Sequence, residues 1–239
     1  MDFLTHLFTS LAAFASELMG LWIIFSNTHS LAGWNAWEFL ALLGVFRIIT
    51  GTIGLLIAPN MRLIMEDVRE GTLDFVLIKP VNSQFFVSVR RIVIWRVADI
   101  LLGAIIIVAA GVKLSAVASA GRAAMFMLML TAGVTIIYSF WLVLATLAFW
   151  LTRVNNMEMV FWNVFEAGRY PVEIYRPVIR LGLTYIVPLA FITTFPAAAL
   201  VGRTNLPGVG LAVAFAAGSL AVASSFWNYG LRHYSGASA

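Results

Sequence analysis

The sequence predicts an all-α membrane protein, a six-span helical bundle, and three observations carry the prediction. Hydrophobic residues make up 62% of the 239 and charged residues only 11%, against roughly half and a quarter in soluble domains. Several apolar stretches reach the about 20 residues that a helix needs to cross a hydrocarbon core of roughly 30 Å. Runs such as residues 101–110 (LLGAIIIVAA) and 125–130 (MFMLML) are apolar on every face, whereas a membrane β-barrel alternates over about ten residues.

The first span is expected at residues 3–25. The opening MDFLTH has no basic n-region, and the apolar stretch outruns a signal-peptide h-region, so it reads as a true span. The break at 26–35 (SNTHSLAGWN) leads to a second span at 37–58, closed by Pro59 and Asn60. These two helices form an antiparallel hairpin. Residues 61–91 (MRLIMEDVREGTLDFVLIKPVNSQFFVSVRR) then hold the densest charge in the chain.

A third span is expected at 92–112, and a loop with Lys113 and Arg122 leads to a fourth at 123–151, with Arg153 at its far end. The 59–91 loop carries Arg62, Arg69, Lys79, Arg90 and Arg91. The positive-inside rule therefore places it in the cytoplasm. The last span, 208–229, ends near Arg232 and His233, which favour the same side. Exactly one of the two candidates between Arg153 and Arg203 can then cross. Residues 154–168 are expected to be the fifth span. Residues 181–201, with Pro188 and Pro196 inside an apolar run, are expected to be a re-entrant helical hairpin. No repeat or linker divides the chain, so residues 1–239 read as one transmembrane domain.

Several chemistries lack their residues. There is no cysteine, hence no disulfide, thiolate metal site or cysteine nucleophile. No GxxxxGK[ST] is present to cradle nucleotide phosphates, and no GxSxG elbow. His6, His29 and His233 are scattered, without metal-ligand spacing. The net charge of +4 comes from basic residues at span ends, a topology signal and not a nucleic-acid patch.

Ionisable groups inside apolar helices are more informative, because each costs on the order of 3 kcal/mol at the bilayer centre unless it finds a partner or water. Glu17 and Arg47 fall at similar depth in the first two helices, offset by roughly 3 Å, and read as an intramembrane ion pair locking the hairpin. Arg96 with Asp99, Glu166 with Arg169 and Glu173 with Arg176 have i, i+3 spacing. Glu158, beside Asn155 and Asn156, reads as an interfacial start to the fifth span. Small residues at four-residue spacing, Ala12, Ser16 and Gly20, and Gly210, Ala214 and Gly218, suit close helix packing within the chain.

Within the charged loop, residues 66–81 (EDVREGTLDFVLIKPV) resemble the cytoplasmic stretch of type-two ABC exporter permeases, where Glu-Gly-Thr-Leu precedes an apolar run and a proline. Residues 169–203 (RYPVEIYRPVIRLGLTYIVPLAFITTFPAAALVGR) look like the outer end of the fifth span and the re-entrant external helices of that family. The closing FWNYGLRHYSGAS is similar to one uncharacterised permease subfamily. One departure stands out: members usually begin with a longer basic amphipathic segment, whereas only Met1 and Asp2 precede the first span here.

The resemblance implies a permease subunit of the bacterial inner membrane, multi-pass and surrounded by lipid, that dimerises with an identical or homologous permease. It implies cytoplasmic ABC ATPase subunits that bind ATP and Mg, so this chain would hold no cofactor and be no enzyme. It also implies a coupling helix between spans two and three. An amphipathic helix over 62–75 suits that role, with Leu63, Val68 and Leu73 or Phe75 as apolar contacts and Gly71 allowing a turn. The expected coupling interface comprises Arg62, Glu66, Asp67, Arg69, Glu70, Gly71, Thr72, Leu73, Asp74, Lys79 and Pro80. A non-ABC membrane scaffold, docking another partner through residues 59–91, is the competing reading. A secondary transporter ranks behind both.

Overall fold

The computed structural model describes residues 3–114, 120–151 and 155–234. Met1, Asp2, residues 115–119, Arg153 and the end of the closing motif from Ser235 lie outside the described residues, as do the side chains of His6, Asn155 and Asn156. The order is α1 (Phe3–Asn27), α2 (Ala36–Glu70), the short α3 (Asp74–Leu77) and α4 (Ser83–Val89), α5 (Val97–Lys113), α6 (Ala120–Thr146), α7 (Asn155–Phe165), α8 (Pro177–Tyr185), α9 (Phe195–Leu200) and α10 (Leu206–His233). No strand occurs among the described residues beyond one bridge between Leu31 and Trp34. The all-α membrane fold is as expected.

Among the described residues, α1, α2, α5, α6 and α10 are long and apolar enough to cross a membrane. Helix α2 starts at a capping box. The Asn35 side chain accepts from the Trp37 and Glu38 amides, and Glu38 Oε2 accepts from the Asn35 amide at 2.8 Å, which satisfies donors the first turn leaves unpaired. Helix α10 starts at a simpler cap, with Asn205 Oδ1 accepting from Gly208 N–H at 3.0 Å.

Pro59 does not close the second span, contrary to expectation. The helix widens into a π-turn at Ile53–Ile57 and continues to Glu70. A proline has no N–H for the carbonyl four residues back, here that of Leu55, and the Val93 N–H donates to that oxygen instead at 2.9 Å. A second π-turn, Ala190–Thr194, likewise lies two residues before Pro196. There the carbonyl four residues back belongs to Ile192, which abuts Gly133 of α6; a Cβ at Gly133 would lie 3.1 Å from Ile192 O.

The expected fifth span falls on helix α7 and the 3-10 turn Glu166–Arg169 that continues it directly. Helix α7 has 11 residues, about 16 Å at 1.5 Å per residue, roughly half the hydrocarbon thickness. Helix α8 and the segment Ala190–Leu200 are bent by 74° across a break that contains Pro188. This geometry is shared by a broken span and a re-entrant hairpin.

Close packing uses glycines other than the small-residue stripes. A Cβ on Gly44 of α2 would meet Ile107 Cγ1 at 2.7 Å, and one on Gly103 of α5 would meet Gly44 O at 2.7 Å. These positions let α2 and α5 approach backbone to backbone. In contrast, Gly20, Gly210 and Gly218 have nothing within 4 Å of a Cβ position. The expected intrachain packing through those stripes is therefore absent: α10 instead turns Ala212, Ala216, Ala223 and Trp227 inward. Trp34, Trp141, Phe165 and Trp227 anchor a core running the length of the bundle.

Candidate functional site

Two polar constellations stand out from the apolar bundle. The first lies within it. Arg47 Nη2 sits 2.9 Å from Glu17 Oε2, and both side chains are 9% exposed. The pair belongs to a longer chain of charge. Arg47 Nη1 lies 3.8 Å from Asp99 Oδ1, and Arg96 Nη1 lies 3.3 Å from Asp99 Oδ2. On the other side, Arg169 Nη2 lies 3.6 Å from Glu17 Oε1, and Arg169 Nε lies 2.7 Å from Glu166 Oε2. Three arginines and three carboxylates thus alternate from Glu166 to Arg96, with no net charge. Ser10 of α1 also donates to Asp99.

This arrangement ties α1, α2, α5 and the turn after α7 together. It resolves the cost of burying ions by giving each an opposite neighbour. The Arg47 and Arg169 guanidinium groups also lie over the rings of Phe14 and Phe46, at 5.8 and 5.3 Å. A cavity of about 350 Å³ between α1 and α2 has Glu17, Ser16, Arg169 and Tyr170 in its wall. By contrast, Glu173 and Arg176 form no ion pair. Glu173 Oε2 is buried without a partner among the described residues, because a 3-10 turn and extended residues replace the helix that i, i+3 pairing requires.

The second constellation is the segment from Asn60 to Arg91. Asn60, fully buried, donates from Nδ2 to the carbonyls of Leu56 and Arg91, both at 2.7 Å, and accepts from the Arg91 N–H at 2.8 Å. It clamps the end of the segment to its start. Asp67 makes a second tie, with Arg90 Nη2 at 2.6 Å and Thr72 Oγ1 at 3.3 Å. Arg62 pairs with Glu158 of α7, its Nε donating to both oxygens at 2.9 Å, and the Trp162 indole N–H donates to Glu158 at 3.3 Å.

No single amphipathic helix runs from 62 to 75. Helix α2 stops at Glu70 because Gly71 adopts a left-handed conformation (φ 70°), and the Thr72 N–H returns to Asp67 O at 2.9 Å, a common helix ending at glycine. The reversal carries Leu73 into the core, fully buried, and Leu63 and Val68 are half-buried. Leu73 is thus unavailable for apolar contact with a partner. The exposed apolar residues are Phe75 (70%) and Ile78 (78%), followed by Val81 and Phe85.

Around them, Glu66, Arg69, Glu70, Lys79 and Pro80 are exposed and Asp74 is half-exposed. Lys79 Nζ lies 4.2 Å from the centroid of the Phe86 ring, and Arg69 meets Glu70 only loosely at 3.8 Å. Beneath, α4 docks on α6 and α10. Gln84 bonds Ser224 at 3.0 Å, Ser88 bonds the Tyr138 hydroxyl at 2.8 Å, and the Trp227 indole donates to Ser83 at 3.3 Å. Tyr234 approaches the same segment from the chain's other end; burial, and then the charges of Asp74 and Asp67, raise its hydroxyl above the usual 10.0.

Sequence reasoning missed the Asn60 clamp and the exposed Ile78 and Phe85. Asn60 carried a usable signal, an amide directly after a helix-interior proline. The exposure of Ile78 depends on the turn at Gly71 and had none. Among the described residues, no group of His, Asp and Glu is arranged to hold a metal.

Compared with known proteins, the chain matches the model of the family described as ABC-2 family transporter protein over residues 11–238. No curated protein and no solved structure matches it.

Proposed function

The chain belongs to the ABC-2 transporter family, a multi-pass membrane permease component of an ABC transporter, and on that premise we propose that it serves an exporter of the bacterial inner membrane. The coupling surface for a separate ATPase is the segment after Gly71. ATP and Mg bind to that ATPase, so the work done here is mechanical. A second permease, identical or homologous, completes the pathway, and the substrate passes along the interface between the two. In this topology residues 59–91 face the cytoplasm, and the bend around Pro188 and Pro196 is a re-entrant hairpin on the outer side.

The observation that carries the reading is the pairing of exposed Phe75 and Ile78 with a surrounding ring of charge, on a segment whose two ends are tied together by Asn60 and Asp67. Exposed aromatic and aliphatic anchors with a charged rim are what a protein partner needs for a hot spot and for steering. The ties at Asn60 and Asp67 transmit a push on that surface to α2 and α5. Gly71 and Thr72 shape the turn, and Leu73 roots it in the core.

Co-purification tests this. A tagged chain is expected to bring down a P-loop ATPase, and Phe75→Asp or Ile78→Asp to abolish that capture while leaving membrane insertion intact. Capture of a partner without a P-loop, through the same residues, would instead support the scaffold reading.

A further inference from the structure

A second cavity, of about 290 Å³, lies where the lower end of α2 meets the residues leading into α5. Its wall holds Arg62, Arg91 and Arg96, the indoles of Trp95 and Trp162, and one carboxylate, Glu66. Gly54 belongs to the wall for a steric reason, since a Cβ there would lie 2.8 Å from Arg96 Nε. The absence of that carbon lets the Arg96 side chain lie across α2.

Each guanidinium has five N–H donors, and most of those here are uncommitted among the described residues. Arg62 uses Nε and one terminal nitrogen on Glu158, and Arg96 uses one terminal nitrogen on Asp99. The Arg91 side chain has no carboxylate partner among the described residues, and its position is fixed through its backbone by Asn60. Three forked donors around one small cavity match the geometry of a phosphate oxyanion.

Depth identifies where the phosphate comes from. Arg62 is 26 residues past Ala36, the first residue of α2, or about 39 Å along the helix. The start of α2 sits at the opposite surface, where Trp37 is exposed and Lys113 lies over its ring at 5.8 Å. A bilayer is roughly 30 Å thick in its hydrocarbon and 40–45 Å with headgroups, so the cavity falls among the headgroups. Tryptophans at that level are typical interfacial anchors.

We propose that Arg62, Arg91 and Arg96 bind the phosphate of an anionic lipid headgroup, between the indoles of Trp95 and Trp162. Basic pockets between membrane helices at this level suit such lipids. The site is separate from the exposed Phe75 and Ile78 surface and does not depend on the ATPase reading.

Native mass spectrometry of the full chain tests it, with phosphatidylglycerol, phosphatidylcholine of the same acyl chains, and soluble glycerol 3-phosphate as the three probes. Phosphatidylglycerol is expected to bind about tenfold more tightly than phosphatidylcholine. Arg91→Gln should reduce that preference about fivefold without changing thermal unfolding, since it breaks no ion pair, and Arg91→Lys should restore part of it. Arg232→Gln, at a charge that does not line the cavity, should change nothing. Equal binding of the two lipids, or equal losses for Arg91→Gln and Arg232→Gln, overturns the site. Displacement of lipid by equimolar glycerol 3-phosphate keeps the phosphate chemistry but overturns the lipid assignment.

Discussion

Helices α1 and α2 are both long, apolar and adjacent, yet they are held by different forces. In α2, 61% of the membrane-length window is buried, and in α1 only 6%. Helix α2 is gripped by packing through Gly44, Gly51 and Gly103 and by the core around Phe46 and Ile49. Helix α1 is attached at separated polar points, Ser10 to Asp99 and Glu17 to Arg47 and Arg169. Lipid tails are as apolar as leucine, so an apolar helix gains nothing by leaving lipid for protein unless shape or charge rewards it. For α2 the reward is shape; for α1 it is charge.

The largest expected effect breaks the charge side of this contrast. Glu17→Ala should destabilise the bundle by about 3 kcal/mol, the lower end for a broken buried pair, because Arg47 keeps Asp99 at 3.8 Å. The double variant Glu17→Gln with Arg47→Gln should be milder than either single one in thermal unfolding. Additive losses would show that the two do not pair. Since the chain has no cysteine, a disulfide engineered between α1 and α5 reports α1 attachment directly, and its yield should fall in Glu17→Ala.

On the packing side, Gly103→Val should destabilise by about 1–3 kcal/mol through overpacking, with α1 still attached. Loss of α1 cross-linking in this variant would mean that the two helices share one mode of attachment. Asn60→Ala should lower stability by about 1–3 kcal/mol, and its protease sensitivity should appear first near Arg91, whose carbonyl and amide lose their partners. Tyr234→Phe should leave the melting temperature unchanged or slightly raised, because it removes a buried hydroxyl that has no partner among the described residues. The smallest effect is expected for Arg69→Gln, whose 3.8 Å contact with Glu70 is exposed on both sides.

Which features were legible in the sequence follows the same division. The presence of the apolar spans and the Glu17–Arg47 pairing depend on counting residues along rods of fixed rise, and the order of residues in the chain is all that such counting needs. The wider charge chain was legible only in pieces: Arg96 with Asp99 and Glu166 with Arg169 announce themselves by spacing, but their meeting at Arg47 and Glu17 is tertiary. Pro59 misled because its tolerance depends on the Val93 amide, 34 residues later. The small-residue stripes misled for a different reason. Spacing says that a helix can be approached closely and is silent on whether anything does so, and the glycines that meet a neighbour at 2.7 Å, Gly44, Gly51 and Gly103, lie in other helices.

In the coupling segment, residue types were readable and their directions were not. Glu66, Arg69 and Glu70 are exposed, as charges generally are. Leu73 and Phe75 were interchangeable as candidates until the left-handed turn at Gly71 sent one inward and the other outward.

The π-turn at Ile53–Ile57 acts on α2 as a phase shifter. One extra residue in a helix rotates everything beyond it by about 100°, the angle of a single residue step. A helical wheel drawn straight from Leu42 turns Met61 by about 100° and Met65 by about 140° away from it, whereas both in fact continue the core. Removing one residue from this turn would swing Arg62 and Glu66 around the helix axis while leaving the membrane half in place. The orientation of the whole lower assembly is thus set by a single-residue insertion above it.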